Sequence, residues 1–274
     1  MENYSMTTGA LFSPIDVRDY RLAYVSNESE FPEEFELQMG KVKNQGRVGS
    51  CVAHSIAETI EYFNITQNND SKTMSTDYIY GNRTNMLHNT SGMYTRKAID
   101  NACKYGDVYE CDYPGNTEAP EVIEKFEQNK DIFYEQGVPH RFSSYYSVKS
   151  KNEIKMALMN NGPVIFAMQW YDDIKVENGI ITTSQQGEFG GHCMVIYGWN
   201  EQGWKIMNSW SERWGNQGKA ILPYDIKIRE AYGIVDTIVG IDNVDIKKPY
   251  DSIIGKLIAR ILNWILNFIN KYQR

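Results

Sequence analysis

The sequence predicts an α+β fold, with helices in the first half of the chain and a mostly antiparallel sheet or barrel in the second. After residue 50, apolar residues recur every three to four positions, which is the helical period. After Pro163, short runs rich in β-branched and aromatic residues alternate with turn residues, which is typical of antiparallel strands. Five of the six Trp residues lie between residues 170 and 214, so we expect a compact core there. A cleft is expected between the helical and the strand-rich parts.

Five helical segments are predicted from this periodicity. The first begins at Cys51, directly after a Gly-rich loop. The others cover residues 75–83, 95–105, 121–133 and 152–162. The segment 121–133 is rich in charged residues, and we expect it to be exposed.

Length and composition indicate an ordinary globular protein. The chain has 274 residues, of which 42% are hydrophobic and 23% charged, and it is long enough to bury a core. The formal net charge is −7, so we expect no nucleic-acid binding by a broad basic surface. The sequence has no signal peptide and no run of 18 uncharged apolar residues. We expect a cytoplasmic protein, or one released without a signal peptide.

The four cysteines are too few for a disulfide scaffold, and no two of them show the C-x-x-C spacing of a zinc or redox site. A local bridge between Cys103 and Cys111 and a pair of free thiols both remain open. No metal and no cofactor is predicted.

Cys51 is the candidate nucleophile, because the free N–H groups and the dipole of a helix N-terminus stabilise a thiolate there. The alternative is an ordinary buried cysteine. The Gln45 amide and the Cys51 backbone N–H are candidate donors to a developing oxyanion. Far downstream, His192 is the candidate base, Asn208 is placed to orient its ring, and Trp210 is placed to shield that contact from water.

With these residues in this order, the chain resembles the papain-like cysteine peptidases from about Phe31 to Ile238. The resemblance is carried by the segments VKNQGRVGSCVAHS, GGHCMVIYGWN and WKIMNSWSERWGNQGKAILPY. It implies a two-lobe fold, in which a helical lobe bears the nucleophile and a barrel-like β lobe bears the His. It also implies a thiolate–imidazolium pair of Cys51 and His192 and a peptide or protein substrate. The substrate-binding positions that it implies are Gly92, Met93, Ala167, Gly191 and Trp214.

The chain departs from the family pattern near the nucleophile. Val48 and Val52 stand where the family has a Cys and an aromatic residue, so the usual disulfide is absent there. His54 lies one turn after Cys51, and we expect it to pack rather than react. Ser211 replaces a common Gly, and Cys193 replaces a small apolar residue after the catalytic His.

The predicted organisation is a lead-in at residues 1–30, a catalytic domain at 31–241, a linker at 242–250 and an amphipathic helix at 251–272. The helical lobe is expected at about 45–135 and the β lobe at about 140–241. The lead-in is too short for the family's usual inhibitory segment, so we expect it to wrap the fold, with a short blocking arm as the alternative. The wide apolar face of the last helix suits a membrane interface, self-association or a partner helix, or a return onto the catalytic domain.

The leading functional hypothesis is a thiol endopeptidase. A transpeptidase or a cell-wall amide hydrolase of the same fold would use the same Cys, His and Asn. A catalytically silent module that presents the C-terminal helix to a membrane or an assembly is the non-enzymatic alternative, and the intact set of four residues argues against it.

Overall fold

The computed structural model describes residues 7–14, 16, 31–83, 91–113 and 120–236, and for residues 120–127 only the backbone. The chain divides into two units, Met1–Thr237 and Ile238–Arg274. The second unit, with the predicted linker and C-terminal helix, lies outside the described residues. None of the helices in the described ranges is long and apolar enough to cross a membrane.

All five predicted helices are present. They are α1 (Cys51–Asn68), α2 (Thr76–Gly81), α3 (Thr95–Tyr105), α4 (Pro120–Gly137) and α5 (Lys151–Asn160). A short 3-10 turn, Val138–His140, follows α4.

Local sequence accounts for several of the helix boundaries. Helix α3 ends at Gly106, whose φ of +68° favours glycine. Helix α5 begins with a capping box, in which Ser150 and Glu153 bond each other's backbone N–H groups. Helix α4 differs from the expectation, because it is longer than predicted and is not wholly exposed. Phe133 on α4 is buried against Tyr78 and Tyr113.

Within the described ranges, the strands form one large sheet and one short pair. They are β1 (Ala10–Leu11), β2 (Phe35–Glu36), β3 (Met93–Tyr94), β4 (Ser144–Ser147), β5 (Val164–Tyr171), β6 (Lys175–Glu177), β7 (Ile180–Thr182), β8 (Phe189–Trp199), β9 (Gly203–Met207), β10 (Lys219–Pro223) and β11 (Ile228–Val235). In the large sheet the order is β4-β11-β5-β8-β9-β10-β7-β6, and β2 also pairs with β8. Its ladders are antiparallel except for one parallel bridge between β7 and β10. The short pair joins β1 and β3 in parallel.

The large sheet lies between two hydrophobic clusters. One cluster joins helices α1 to α4 to one side of the central strands and includes Ile165 and Cys193. The other joins α5 to the opposite side and includes Met194 and four of the Trp residues. Neighbouring residues of β8 therefore face different cores, as the two-residue period of a strand requires. Helix α1 and strand β8 are held in contact by this packing, which brings the beginning of the helix to the sheet.

Candidate active site

Cys51 is the first residue of α1 and its side chain is fully buried. The preceding loop is held by backbone bonds from Val48 N–H to Gln45 and from Ser50 N–H to Val48. The thiol accepts hydrogen bonds from the backbone of Cys193 and of Gly9. The sulfur therefore lies next to the residue that follows His192 in β8.

His192 and Asn208 form the second part of the site. The Nε2 atom of His192 lies 2.8 Å from Oδ1 of Asn208, and both side chains are fully buried. The backbone N–H of Ser209 donates to the same Oδ1 at 2.8 Å, which fixes the orientation of the amide. Because that oxygen can only accept, His192 donates from Nε2. Among the residues that the structure describes, its Nδ1 has no hydrogen-bond partner.

Two indole rings enclose the His192 ring. Trp210 stacks on it with ring centroids 4.3 Å apart and an angle of 18° between the planes. Trp170 meets it edge-on at 5.2 Å. The hydrogen bond to Asn208 is thereby screened from water, which is the role predicted for Trp210. Trp214 lies farther out and is partly exposed, 5.9 Å from the Trp210 ring.

Ser209 connects Asn208 to the candidate oxyanion donor, and sequence reasoning missed it. Its hydroxyl donates to Oε1 of Gln45 at 2.7 Å, and its carbonyl accepts the Gln45 backbone N–H at 2.8 Å. Ser209 thus holds the amide oxygen of Gln45, so that the Nε2 atom of the same amide points away from Ser209. The only available signal was the position of Ser209 inside the NSW motif, since its partner is 164 residues away.

The N-terminal strap, defined here as residues 7–13, occupies the cleft at this site. Nε2 of Gln45 donates to the carbonyl of Thr7 at 3.0 Å, and the Trp210 indole N–H donates to the same oxygen at 3.3 Å. Gly9 N–H donates to the carbonyl of Gly191 at 3.0 Å, and Met93 N–H donates to the carbonyl of Gly9 at 2.9 Å. Residues 7–13 of the predicted lead-in therefore lie in the cleft, where a short blocking arm would lie.

Four glycines leave room for the strap. A Cβ atom on Gly49 or Gly92 would crowd the backbone of residues 8 and 9, and one on Gly190 or Gly191 would overlap Thr8 or the Ala10 carbonyl. Gly92 also has a φ of +90°, which favours glycine. Backbone can approach these surfaces closely only because they lack side chains.

Three of the five predicted substrate-binding residues contact the strap, namely Gly92, Met93 and Gly191. Ala167 is buried in β5, opposite Cys193, in the same cluster as Ala10. Their roles toward a substrate stay predictions.

Burial is the largest influence on the pKa values of Cys51 and His192. It raises the pKa of the Cys51 thiol to about 11, although hydrogen bonds from the backbone of Cys193, Gly9 and Val52 act in the opposite direction. Burial lowers the pKa of His192 to about 4, and the hydrogen bond to Asn208 opposes this only in part. At neutral pH this closed arrangement holds a neutral thiol and a neutral imidazole. It differs from the expected thiolate–imidazolium pair because both groups are fully buried, and the strap adds to the burial of the Cys51 sulfur.

His54 has the packing role expected of it. It is buried, and its Nδ1 lies 3.0 Å from the carbonyl of Ser50, to which it donates. Burial lowers its pKa to about 4, so it stays neutral. Ser211 has a φ of +66°, which explains why a glycine is favourable at that position.

A buried acidic cluster supports the loop that carries Gln45. Lys43 Nζ lies 2.8 Å from Oε1 of Glu61, and Glu58 and Asp107 are buried in the same region. Burial and then the charge of Glu61 raise the pKa of Glu58 to about 8. Burial also raises the pKa of Asp107. Near neutral pH, most Glu58 side chains are therefore protonated in the folded protein.

Neither a metal cluster nor a disulfide is found among the described side chains. No group of three or more His, Cys, Asp or Glu in these ranges is placed to hold a metal ion. All four cysteines are free, including Cys103 and Cys111.

Comparisons with known proteins agree with the geometry of the site. The model of the papain family of cysteine proteases matches residues 31–239. An uncharacterized peptidase C1-like protein of Acanthamoeba polyphaga mimivirus is 30% identical over 66% of this chain and 63% of its own length. A cysteine protease of Blomia tropicalis is 24% identical over 71% of this chain and 62% of its own length. The chain thus spans less than two thirds of these curated relatives.

A solved structure shows the same fold. Xylellain, a cysteine protease from Xylella fastidiosa, superposes with a TM-score of 0.73, at 22% identity, over 84% of this chain and 96% of its own.

Replacing Glu58 by Gln should flatten the dependence of stability on pH. The folded pKa of Glu58, about 8, lies above its ordinary value of 4.5, so its proton stabilises the fold at low pH. That contribution is lost as pH rises from 4.5 through about 8. We expect Glu58→Gln to match the wild type at about pH 4 and to be more stable at about pH 9, measured by urea unfolding. The control is Glu212→Gln at an exposed position, and equal pH dependence of Glu58→Gln and the wild type would contradict the assignment.

Proposed function

The chain belongs to the papain family of cysteine proteases, and from this premise we propose that it is an endopeptidase that uses Cys51 and His192. The observation that carries the proposal is the hydrogen bond from His192 Nε2 to Asn208, at 2.8 Å. It leaves Nδ1 unpartnered on a ring whose neighbour in β8, Cys193, contacts the Cys51 sulfur. A base and a nucleophile are thus held by two rigid elements, α1 and β8.

In the first step, the Cys51 thiol transfers its proton to Nδ1 of His192, and the thiolate attacks the carbonyl carbon of the scissile peptide bond. Negative charge develops on the carbonyl oxygen. Nε2 of Gln45 and the backbone N–H of Cys51 at the beginning of α1 are the donors for that charge. The hydroxyl of Ser209 supports this role, because it holds the other end of the Gln45 amide.

In the second step, His192 gives the proton from Nδ1 to the nitrogen of the leaving amine, and the C–N bond breaks. The acyl group stays on Cys51 as a thioester. Nδ1 then takes a proton from water, whose oxygen attacks the thioester carbonyl. The C–S bond then breaks, Nδ1 returns its proton to the Cys51 sulfur, and the carboxylic acid product leaves.

A substrate has to occupy the positions that the strap fills in the described state, because both would lie against Gly92 and Gly191. The value of kcat/KM therefore scales with the fraction of molecules whose cleft is open. In a ratio with the wild type, this fraction cancels for variants that leave the contacts of the strap unchanged.

Removal of the base should be far more costly than removal of its orienting partner. We expect His192→Ala to lower kcat/KM for fluorogenic peptides by about 10²–10⁴-fold, the usual contribution of a positioned acid–base group. Asn208→Ala should cost about tenfold, since it removes one buried hydrogen bond. Near-UV circular dichroism serves as the folding control. Normal turnover of His192→Ala would remove the mechanism, and an equal loss in both variants would assign Asn208 a larger structural role.

Ser209→Ala should lower kcat without changing its pH dependence. Without the hydroxyl, Oε1 of Gln45 loses its side-chain donor, while Nε2 still donates to the carbonyl of Val48 at 2.8 Å. We expect kcat to fall about tenfold, as for the loss of one hydrogen bond in the transition state. The pH profile should stay unchanged, since His192 keeps its contact with Asn208. A shifted pH profile would mean that Ser209 acts through the histidine and not through Gln45.

Product analysis separates hydrolysis from the alternative reactions of the same fold. A peptidase releases a free carboxylic acid, whereas a transpeptidase transfers the acyl group to an added amine in preference to water. A catalytically silent module would give neither product, and Cys51 would not be labelled by a thiol-directed peptidyl epoxide even in folded protein.

A further inference from the structure

Cys193 is a second buried thiol at the site, and the mechanism proposed above makes no use of its side chain. It follows His192 directly in β8, its side chain is fully buried, and it is free. In packing, a buried cysteine behaves as a small hydrophobe, so a small apolar side chain would fill the same space. The property that a cysteine adds at this position is therefore the reactivity of its sulfur.

The side chain of Cys193 lies on the face of the sheet that is covered by α1. Cys193 belongs to the hydrophobic cluster that contains α1, whereas the next residue, Met194, belongs to the cluster on the opposite side. The hydroxyl of Ser55 forms a hydrogen bond with the Cys193 side chain. Because Ser55 lies four residues after Cys51 on α1, the two share one face of the helix. The Cys193 side chain therefore lies against the face of α1 that begins with the nucleophile.

The Cys51 sulfur contacts the same residue. It accepts a hydrogen bond from the backbone of Cys193, and both side chains are fully buried in one cluster. Burial raises the pKa of Cys193, and the neighbouring Cys51 sulfur raises it further. Two thiols thus lie next to each other across the contact between α1 and β8.

We propose that Cys193 is the resolving thiol of Cys51, so that oxidation of the nucleophile by hydrogen peroxide ends in a reversible Cys51–Cys193 disulfide. The disulfide withdraws the nucleophile and protects it from irreversible oxidation. Formation of this bond does not depend on the peptidase activity proposed above, whereas its consequence, a reversible loss of hydrolysis, rests on that activity.

The oxidation takes place in two steps. When the cleft is open, the Cys51 thiolate attacks one oxygen of hydrogen peroxide, the O–O bond breaks, and the released hydroxide takes up the thiol proton and leaves as water. Cys51 is then a sulfenic acid. The Cys193 sulfur attacks the Cys51 sulfur, the S–O bond breaks, and the hydroxyl group leaves with the Cys193 proton as a second water. Two thiols and one peroxide thus give one disulfide and two waters.

Peptide mapping tests the bond directly. The full chain is exposed to hydrogen peroxide until the free Cys51 thiol is lost, the remaining thiols are blocked with N-ethylmaleimide in denaturant, and the peptides are analysed by mass spectrometry without reduction. We expect one pair of peptides joined through Cys51 and Cys193. Cys51 found only as sulfinic or sulfonic acid, or joined to another cysteine, would overturn the proposal.

Cys111→Ala is the matched control, because Cys111 is also a free cysteine but is exposed. This variant should give the same joined pair as the wild type. Loss of the joined pair in Cys111→Ala would mean that the bond at Cys51 forms by exchange through Cys111, which would overturn the direct step.

Recovery after reduction tests the protective role of Cys193. Each oxidised chain receives dithiothreitol, and its hydrolysis of a fluorogenic peptide is divided by that of the same chain before oxidation. The wild type and Cys111→Ala should recover nearly all of their activity. Cys193→Ala should recover at least about fivefold less, because a sulfenic acid without a resolving thiol proceeds to the irreversible sulfinic acid. Equal recovery in Cys193→Ala and the wild type would overturn the proposal.

Cys193→Ser provides a second variant in case the alanine chain does not fold, since a serine side chain is closer in size to cysteine and forms no disulfide. It should recover as poorly as Cys193→Ala, and near-UV circular dichroism before oxidation confirms that each chain is folded.

The two proposals fail separately in these samples. A joined pair in a chain that hydrolyses no peptide before oxidation would contradict the peptidase and leave the thiol pair standing. Hydrolysis before oxidation, without a joined pair afterwards, would contradict the thiol pair and leave the peptidase standing.

Discussion

The hydrogen bond between His192 and Asn208 is the contact on which the rest of the site depends. It joins the middle of the sheet to the turn after β9 and determines which nitrogen of the imidazole is free. The next residue, Ser209, extends the same network to Gln45 through its hydroxyl and its carbonyl. One dipeptide therefore orients both the base and the oxyanion donor, and the two indoles around His192 protect the arrangement from water.

Two opposing effects meet at Cys51. The beginning of a helix and several backbone N–H groups favour a thiolate, whereas complete burial disfavours any charge. Burial is the larger effect in the described state, and the strap contributes to it by covering the sulfur. The same segment thus blocks the cleft and keeps the nucleophile protonated. When the cleft opens, the sulfur becomes accessible to a substrate and is exposed to water at the same time. The change from a closed to a reactive site therefore involves solvation of the sulfur as well as removal of the strap.

The sequence was sufficient for the parts of the protein that local patterns determine. The helical period after Cys51, the glycine at 106 and the clustered Trp residues gave the helices and the sheet, and the spacing of the motifs gave the candidate residues. It could not show that Ser209 bonds Gln45 or that Gly9 fits against Gly49, because these contacts join residues that are distant in the chain and depend on how two surfaces meet. The expected charge of the Cys51–His192 pair failed for the same reason, since burial is a property of the folded molecule.

The most direct test of this account is a titration of the Cys51 thiolate by ultraviolet absorbance, taken as the difference between each chain and the same chain with Cys51→Ala. The account predicts that the wild-type thiolate appears only near pH 11. It should appear at a clearly lower pH in Gly9→Ala, because the added Cβ atom would overlap the Gly49 carbonyl and displace the strap. A full thiolate signal in the wild type at neutral pH would contradict the central claim that the covered site holds a neutral pair.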